Sequence, residues 1–169
     1  MDKYRFIYSY NNKSEIIGIL VYDNIPLKIT IPDDVTIISK SAFYACEYLE
    51  EIYIPDNVID IGDGAFCKCK ALKKINIPDT IKSIKSNTFS GCSSLESIHI
   101  PDSVVSIGDY AFEGCISLNE INIPNSVTHI GKFAFAGCTS LNEDPVWYII
   151  GYMVKTIYPI NHFDYILSM

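Results

Sequence analysis

The sequence has no excess of basic residues. It contains 13 lysines and arginines against 20 aspartates and glutamates, which gives a formal net charge of −7. Nucleic acids and anionic membranes bind proteins through clusters of positive charge that neutralise phosphates. The lysines here are scattered along the chain. The composition therefore argues against a nucleic acid or a lipid surface as the partner.

Long hydrophobic runs are also missing. The longest apolar stretch, residues 146–153, includes Gly151. It is far shorter than the ~20 residues that span a bilayer. The first twelve residues lack the apolar core of a secretory signal peptide. We therefore expect no membrane insertion, and these two absences favour a cytoplasmic location.

The patterns that mark catalytic sites are absent as well. The chain has no glycine-rich phosphate loop, no paired cysteines at zinc-binding spacing and no nucleophile elbow. His99, His129 and His162 lie in different contexts, so we expect no metal site from them. Cys67 and Cys69 are separated by one residue, which is not the spacing of a redox motif. The sequence predicts a protein that is not an enzyme and that uses neither a cofactor nor a metal.

What the chain does contain is a repeat. The dipeptide Ile-Pro recurs every 23 residues, at positions 31, 54, 77, 100 and 123, without insertion or deletion. The five copies span residues 31–145 and align apolar residues in columns. The phenylalanine column is Phe43, Phe66, Phe89, Phe112 and Phe135. A fixed period of this length is typical of solenoids, in which each copy buries its apolar face against its neighbours.

One copy can be divided into two short strands and a turn. Ile98 and Ile100 alternate with polar residues, as in a half-buried strand. Val104 and Ile107 indicate a second short strand. The segment 109–115 is expected to form a helical turn with Phe112 on its inner side. Each copy therefore predicts one coil of a β-rich solenoid.

An acidic column follows the prolines. It consists of Asp33, Asp56, Asp79 and Asp102, with Asn125 in the last copy. Stacked carboxylates repel each other, and calcium would relieve that repulsion. However, Asn125 occupies the same position, and no second acidic column converges on the first. We therefore expect each side chain to hydrogen-bond the backbone of its own turn.

The repeat resembles the leucine-rich repeats of the BspA-like family. The resemblance rests on the Leu-x-x-Ile-x-Ile-Pro strand, the Ile-Gly-x-x-Ala-Phe turn beginning at Ile107 and the Gly-Cys-x-x-Leu link beginning at Gly114. It covers residues 31–141. It implies a right-handed superhelix with a parallel sheet on one face, short helical turns and a cap at each end. It also implies protein-binding surfaces, often on microbial or parasite cells.

The two ends differ from the copies. Residues 1–30 contain alternating aromatic residues, a turn signal and a second apolar run. This pattern predicts a β-hairpin cap followed by the first strand of the repeat sheet. Asp144 and Pro145 are expected to end the array. The aromatic-rich segment 146–169 is either a C-terminal cap or an exposed patch that docks a partner.

Cysteine usage follows the repeat. Five of the six cysteines form one column, which consists of Cys46, Cys69, Cys92, Cys115 and Cys138. Free cysteine is among the most frequently buried residue types, so we expect these thiols to be reduced and buried. Cys67 lies outside the column and is expected to be exposed.

Two surfaces are candidates for binding. The first is the outward face of the repeat sheet, which is concave in solenoids and carries side chains in fixed rows. Its candidate contact residues are Glu51, Tyr53, Lys74, Asn76, Ser97, His99, Glu120 and Asn122. Tyr53 is its large aromatic residue, a type common at binding hot spots. The second is a bulky patch on the turn side, formed by Tyr44, Tyr48 and Cys67.

Two functions fit these observations. The first is a non-catalytic module that binds a protein partner through the outward face, as in a surface or adhesion-type protein. The second is a structural or assembly component whose ends or flanks stack, without a dedicated ligand site. The resemblance implies a cell surface, whereas the missing signal peptide indicates the cytoplasm. The sequence identifies neither the partner nor the oligomeric state.

Overall fold

The computed structural model describes residues 3–22 and 27–141. These residues form a solenoid of stacked parallel strands joined by turns, which confirms the predicted leucine-rich repeat architecture. Asp144, Pro145 and the aromatic segment 146–169 lie outside the described residues.

The described residues contain twelve strands, and all but the first alternate between two rows. The strands are β1 (Tyr4–Tyr8), β2 (Glu15–Val21), β3 (Leu27–Thr30), β4 (Ile37–Ile38), β5 (Leu49–Tyr53), β6 (Asp60–Ile61), β7 (Lys74–Ile75), β8 (Ser83–Ile84), β9 (Ser97–His99), β10 (Ser106–Ile107), β11 (Glu120–Asn122) and β12 (His129–Ile130). We call β3, β5, β7, β9 and β11 the repeat sheet, and β4, β6, β8, β10 and β12 the lateral sheet.

The stacking register equals the repeat period. In the repeat sheet Glu51 pairs with Lys74, and in the lateral sheet Ile107 pairs with Ile130, each 23 residues apart. All pairs within the two rows are parallel. Each copy is therefore one coil, and equivalent side chains of neighbouring copies lie side by side.

A hairpin covers the N-terminal end of the lateral sheet. β1 and β2 are antiparallel, with Arg5 beside Leu20 and Ile7 beside Gly18. β2 also pairs in parallel with β4, so it is at once a hairpin strand and the first strand of the lateral row. The hairpin lies where the aromatic alternation predicts one, and it occupies a sheet edge that would otherwise expose unpaired backbone groups.

The expected helical turns are not formed. The described residues contain no helix, and the segments after the lateral strands are successive turns. In each copy two residues four positions apart have positive φ, such as Tyr110 at 57° and Gly114 at 68°. A left-handed residue cannot continue a right-handed helix. Alternate N–H groups instead donate to the next copy, as Phe112 does to the carbonyl oxygen of Ala134 at 2.7 Å.

The phenylalanine column forms the centre of the core. Phe43, Phe66, Phe89 and Phe112 are fully buried, and adjacent rings stack with interplanar angles of 4–19°. Phe6 of the hairpin adds an edge-to-face contact with Phe43 at 6.3 Å between centroids. The aromatic column therefore continues into the N-terminal cap.

The cysteine column contributes hydrogen bonds as well as volume. The Sγ atom of Cys92 lies 3.2 Å from the carbonyl oxygen of Phe66 in the preceding copy. Cys69, Cys115 and Cys138 repeat this contact at 3.1–3.2 Å with Phe43, Phe89 and Phe112. A thiol is a weak donor, and here it reaches a buried acceptor that an alanine could not satisfy. Burial of the five column thiols is as predicted.

Glycine follows the lateral strand in three copies because neighbouring backbones approach closely there. A Cβ atom on Gly108 would lie 2.6 Å from the backbone nitrogen of Ser86. Gly62 and Gly131 would be equally crowded, at 2.3 and 2.4 Å from backbone atoms. A Cβ atom at any of these three glycines would therefore require the neighbouring backbone to shift.

Copy three (77–99) has Lys85 at this position, and both sheets are interrupted beside it. β6 is not paired with β8, and β7 is not paired with β9, whereas the other neighbours in each row are paired. Both interruptions fall between copy two (54–76) and copy three. We call this boundary the seam. The Lys85 ammonium group crosses it to reach a carboxylate oxygen of Asp60 at 2.7 Å.

Candidate functional site

The exposed side of the repeat sheet, which we call the repeat face, carries all eight predicted contact residues of the first surface. The strand alternation places Ile29, Ile52, Ile98 and Ile121 in the core and turns their neighbours outward. Tyr53 is 52% exposed. Lys74, Ser97, His99, Glu120 and Asn122 are exposed, whereas Glu51 and Asn76 are half-buried.

Charges alternate along one row of the repeat face. The Nζ atom of Lys28 lies 2.9 Å from Oε1 of Glu51. This hydrogen bond lowers the pKa of the Glu51 carboxyl group. Lys74 is next in register, and within the described residues it forms no ion pair of its own. Lys74 also lies close enough to Glu51 for its positive charge to contribute to the lowered pKa of that carboxyl group.

An open depression lies on β3, β5 and β7. It has a volume of about 400 Å³, and Lys28, Thr30, Glu51, Tyr53, Lys74 and Asn76 line it with the backbone of the three strands. The floor is formed by paired strands, so its shape is fixed by the sheet. The depression therefore presents an aromatic ring, two cations and one anion on a rigid surface.

The two asparagines of the repeat face are bound to the backbone. Oδ1 of Asn76 accepts from the Ile54 N–H at 2.8 Å, and Nδ2 donates to the Ile54 carbonyl oxygen at 2.7 Å. Asn122 makes the same two bonds to Ile100, each at 3.1 Å. Sequence reasoning missed this role. The signal was an asparagine in alternate copies of one column.

The seam divides the repeat face. Glu51, Tyr53, Lys74 and Asn76 are brought together on the paired strands β5 and β7 or directly after them. Ser97, His99, Glu120 and Asn122 lie on the separate pair β9 and β11. The eight predicted residues therefore form two groups of four on the two sides of the seam.

The alternative patch is only partly as predicted. Tyr44 is 51% exposed and Tyr48 is 38% exposed. The Nζ atom of Lys68 lies 5.4 Å from the centre of the Tyr44 ring, within the range of a cation–π contact. Cys67 is half-buried, so the expectation of an exposed thiol was wrong. Its side chain is turned toward Ser90 of the next copy, and burial raises the pKa of the thiol.

The four aspartates of the acidic column do not hydrogen-bond their own turns as expected. Asp33, Asp56, Asp79 and Asp102 are exposed, and their side chains form no hydrogen bond within the described residues. The turn is closed by backbone atoms, as in the bond from the Val58 N–H to the Pro55 carbonyl oxygen at 3.1 Å. No group of three or more potential metal ligands converges anywhere in residues 3–22 and 27–141.

A further aromatic pair was missed from sequence. Tyr110 and Phe133 stack at 5.4 Å between ring centroids, and Phe133 is 49% exposed. Both have positive φ, which is uncommon for residues of this size. Earlier copies carry Ser41, Gly64 and Asn87 in this column. The change to aromatic residues in a column of small and polar ones was the available signal.

The described part of the chain has no helix suited to spanning a membrane.

Comparison with protein families gives one clear match. Residues 15–143 match the family model for the BspA type leucine rich repeat region, in six copies. The Ile-Pro dipeptides that recur at the 23-residue period mark five copies, one fewer than the family model. The match begins at residue 15, the first residue of β2, which is also the first strand of the lateral row. No curated protein matches the chain.

Solved bacterial structures share the fold. A leucine rich cell surface protein from Faecalibacterium prausnitzii is 39% identical, with a TM-score of 0.74; the match covers 84% of this chain and 37% of that one. A leucine-rich repeat protein from Bacteroides ovatus has the same identity, TM-score and coverage of this chain, with 39% of that chain covered.

A leucine-rich repeat protein from Eubacterium ventriosum is 32% identical, with a TM-score of 0.54 over 71% of this chain and 38% of its own. The chain therefore spans about two fifths of the length of each of these three relatives.

Proposed function

Since the chain belongs to the family of BspA-type leucine-rich repeat proteins, we propose that it is a non-catalytic protein-binding module. The proposed contact surface is the part of the repeat face formed by β3, β5 and β7. Tyr53 is its central residue, and the alternative patch at Tyr44 and Tyr48 is the competing surface.

The observation that carries this proposal is the setting of Tyr53. Its ring is about half exposed, yet its strand is paired on both sides with β3 and β7. A surface of this kind loses little conformational entropy when a partner binds. Tyrosine combines a large apolar ring with a polar tip, and it is enriched at the centres of interfaces.

The charges around Tyr53 suggest what the partner presents. Lys28 is paired with Glu51, whereas Lys74 forms no ion pair among the residues that the structure describes. We therefore expect a partner that places an apolar or aromatic group against Tyr53 and a carboxylate near Lys74. His99 and Ser97, beyond the seam, would extend the contact for a longer partner.

A surface or adhesion-type role is part of the proposal. It is supported by the Faecalibacterium prausnitzii relative, which is described as a cell surface protein. Mild protease treatment of intact cells tests this location. We expect the chain to be cleaved under conditions that leave a cytoplasmic marker protein intact, and equal protection of the two would contradict a surface role.

The binding face is tested with two double variants. A partner is first isolated with the tagged protein as bait, and its affinity is measured by titration. Tyr53→Ala/His99→Ala should weaken binding by about tenfold or more, as expected for loss of a hot-spot residue. Tyr44→Ala/Tyr48→Ala is the matched control, because it also removes two exposed side chains from the same chain.

Two results would overturn the assignment to the repeat face. One is full affinity of the Tyr53→Ala/His99→Ala protein together with an unchanged circular-dichroism spectrum. The other is a loss confined to the Tyr44→Ala/Tyr48→Ala protein, which would move the site to the turn side. A Lys74→Glu variant adds a charge test, since it should repel the expected carboxylate.

A further inference from the structure

Within residues 3–22 and 27–141, the hairpin at the N-terminal end leaves one strand edge without a partner strand. In this part of the chain β1 is the last strand of its sheet and pairs with β2 alone. Tyr22 donates to the Lys3 carbonyl oxygen at 3.0 Å, and Ser9 donates to that of Glu15 at 2.9 Å. Hydrogen-bonded pairs alternate along antiparallel strands, so the N–H and C=O groups of Tyr4, Phe6 and Tyr8 point away from β2.

This edge lacks the features that usually prevent strand pairing. β1 contains no proline, and its one charged residue is Arg5. The hairpin does contain a register shift, but the extra residue is Ile17 of β2, so β1 itself stays regular. Natural edge strands are normally protected by such charges, prolines or bulges, and an unprotected edge is a template for another strand.

Exposed apolar side chains are concentrated around the same edge. Of thirteen large hydrophobic residues that are exposed in the described part of the chain, six lie between Ile7 and Tyr22. Phe6 is half-buried, with one side of its ring against Phe43. A cluster of this kind marks an interaction surface more often than a solvated one.

We propose that β1 pairs with β1 of a second copy of this chain, antiparallel and centred on Phe6. This inference is independent of the repeat-face function, and it identifies the end through which copies would assemble. The pairing joins the four-stranded sheet of β1, β2, β4 and β6 to the same sheet of the second copy. It places Phe6 opposite its own counterpart, at the end of both phenylalanine columns.

A second copy fits this edge because the edge is symmetric about Phe6. Tyr4 would face Tyr8 of the second copy, and the three outward residues of each strand would exchange about six hydrogen bonds. Arg5 would face Ile7 of the second copy, so no like charges meet. Aromatic pairs across strands add to the stability of such a contact.

The position of Ile7 gives a test with opposite expected signs. Ile7→Glu places a carboxylate opposite Arg5 of the second copy, whereas Ile7→Lys places a second cation there. Both variants remove the same apolar side chain, so each controls for the other. We expect the dimer to be about tenfold weaker with lysine than with glutamate, measured by sedimentation velocity over a concentration series.

Cross-linking tests the register. The experiment uses the Cys67→Ala background, in which the remaining native thiols are buried. Mixed Arg5→Cys and Ile7→Cys proteins should form a disulfide-linked dimer on mild oxidation, because these positions face each other closely in the proposed pairing. Neither variant alone should cross-link, since each cysteine then faces an unchanged residue.

Three results would overturn the proposal. The first is a protein that stays monomeric at every concentration, even if another partner covers β1. The second is equal dimerisation of the Ile7→Glu and Ile7→Lys proteins. The third is cross-linking by a single cysteine variant but not by the mixture. If the Tyr53→Ala protein loses partner binding but dimerises normally, this inference is unaffected. The two proposals can therefore fail separately.

Discussion

The ring centroids of Phe66 and Phe89 lie 5.7 Å apart, whereas the other stacked pairs of the column lie at 5.2–5.3 Å. This pair spans the seam between copies two and three. The wider spacing coincides with Lys85 in the glycine position and with the interruption of both sheets. The wider ring spacing, the two sheet interruptions and the lysine at the glycine position therefore all lie at one boundary.

Amide hydrogen exchange should detect the seam directly. Val105 donates to the Lys82 carbonyl oxygen at 2.9 Å, and Gly108 donates to that of Ile84 at 2.7 Å. The equivalent N–H groups of copy three, in Lys82 and Lys85, have no backbone acceptor within the described residues. We expect them to exchange at least about tenfold faster than Val105 and Gly108 after correction for intrinsic rates. Equal protection would mean that the seam is closed in solution.

Truncation of the central phenylalanine should be costly. Phe89 is fully buried between Phe66 and Phe112, and Phe89→Ala should lower the free energy of unfolding by about 3–5 kcal/mol. Phe135→Ala is the matched control, because that ring is half-buried at the end of the column. Its cost in urea denaturation should be clearly smaller. A Phe89→Ala cost below about 1 kcal/mol would contradict a close-packed column.

Thiol labelling should distinguish Cys67 from the column cysteines. Cys67 is half-buried, whereas the other five thiols are buried, so Cys67 should react first with a small reagent in the native protein. Burial raises the pKa of Cys67, so its labelling rate should rise by about tenfold per pH unit between pH 7 and 9. A rate that levels off below pH 8 would contradict a raised pKa.

Alkaline pH should destabilise the fold through the buried thiol of Cys92. Burial raises the pKa of Cys92 to about 12, above the value of about 8.5 for an unfolded thiol. The folded protein then holds a proton that the unfolded chain releases. The stabilisation that this proton gives the folded state is complete below about pH 8.5. It is lost as the pH rises toward 12, by about 1.4 kcal/mol per pH unit. Cys92→Ala should show a shallower decline in urea denaturation between pH 9 and 11.

Much of the fold was predictable because the repeat constrains it heavily. Phenylalanine, cysteine and isoleucine recur at one spacing, so stacking in register is the arrangement that buries all of them. The turn was harder. Phe112 and Cys115 are three residues apart, and this spacing suits a helical turn and a succession of tight turns equally well. The positive φ of Tyr110 decides between them. Tyrosine itself gives no sequence signal of it, whereas Gly64 and Asn87 in the same column are residue types that favour positive φ.

The exposure of the candidate residues was predictable, but their hydrogen bonds were not. Alternation along β9 and β11 places His99 and Glu120 on the exposed face, as expected. The sequence could not distinguish Asn76, whose amide binds the backbone of Ile54, from a residue that waits for a partner. Lys85 was visible as a departure from glycine, but its effect depends on the distance between two backbones.

The hydrogen bonds of the turns give the solenoid a polarity. In copies one to four the alternate turn N–H groups all donate toward the C-terminal end, as Gly114 does to the Ala136 carbonyl oxygen at 2.8 Å. In copy five the equivalent N–H groups of Phe133, Phe135 and Gly137 have no backbone acceptor among residues 3–22 and 27–141. Within the described residues, one end of the array thus presents a row of donors, while the other end carries the hairpin. A copy grafted after Leu141 in the same orientation would supply the missing acceptors, so an engineered array should lengthen from that end.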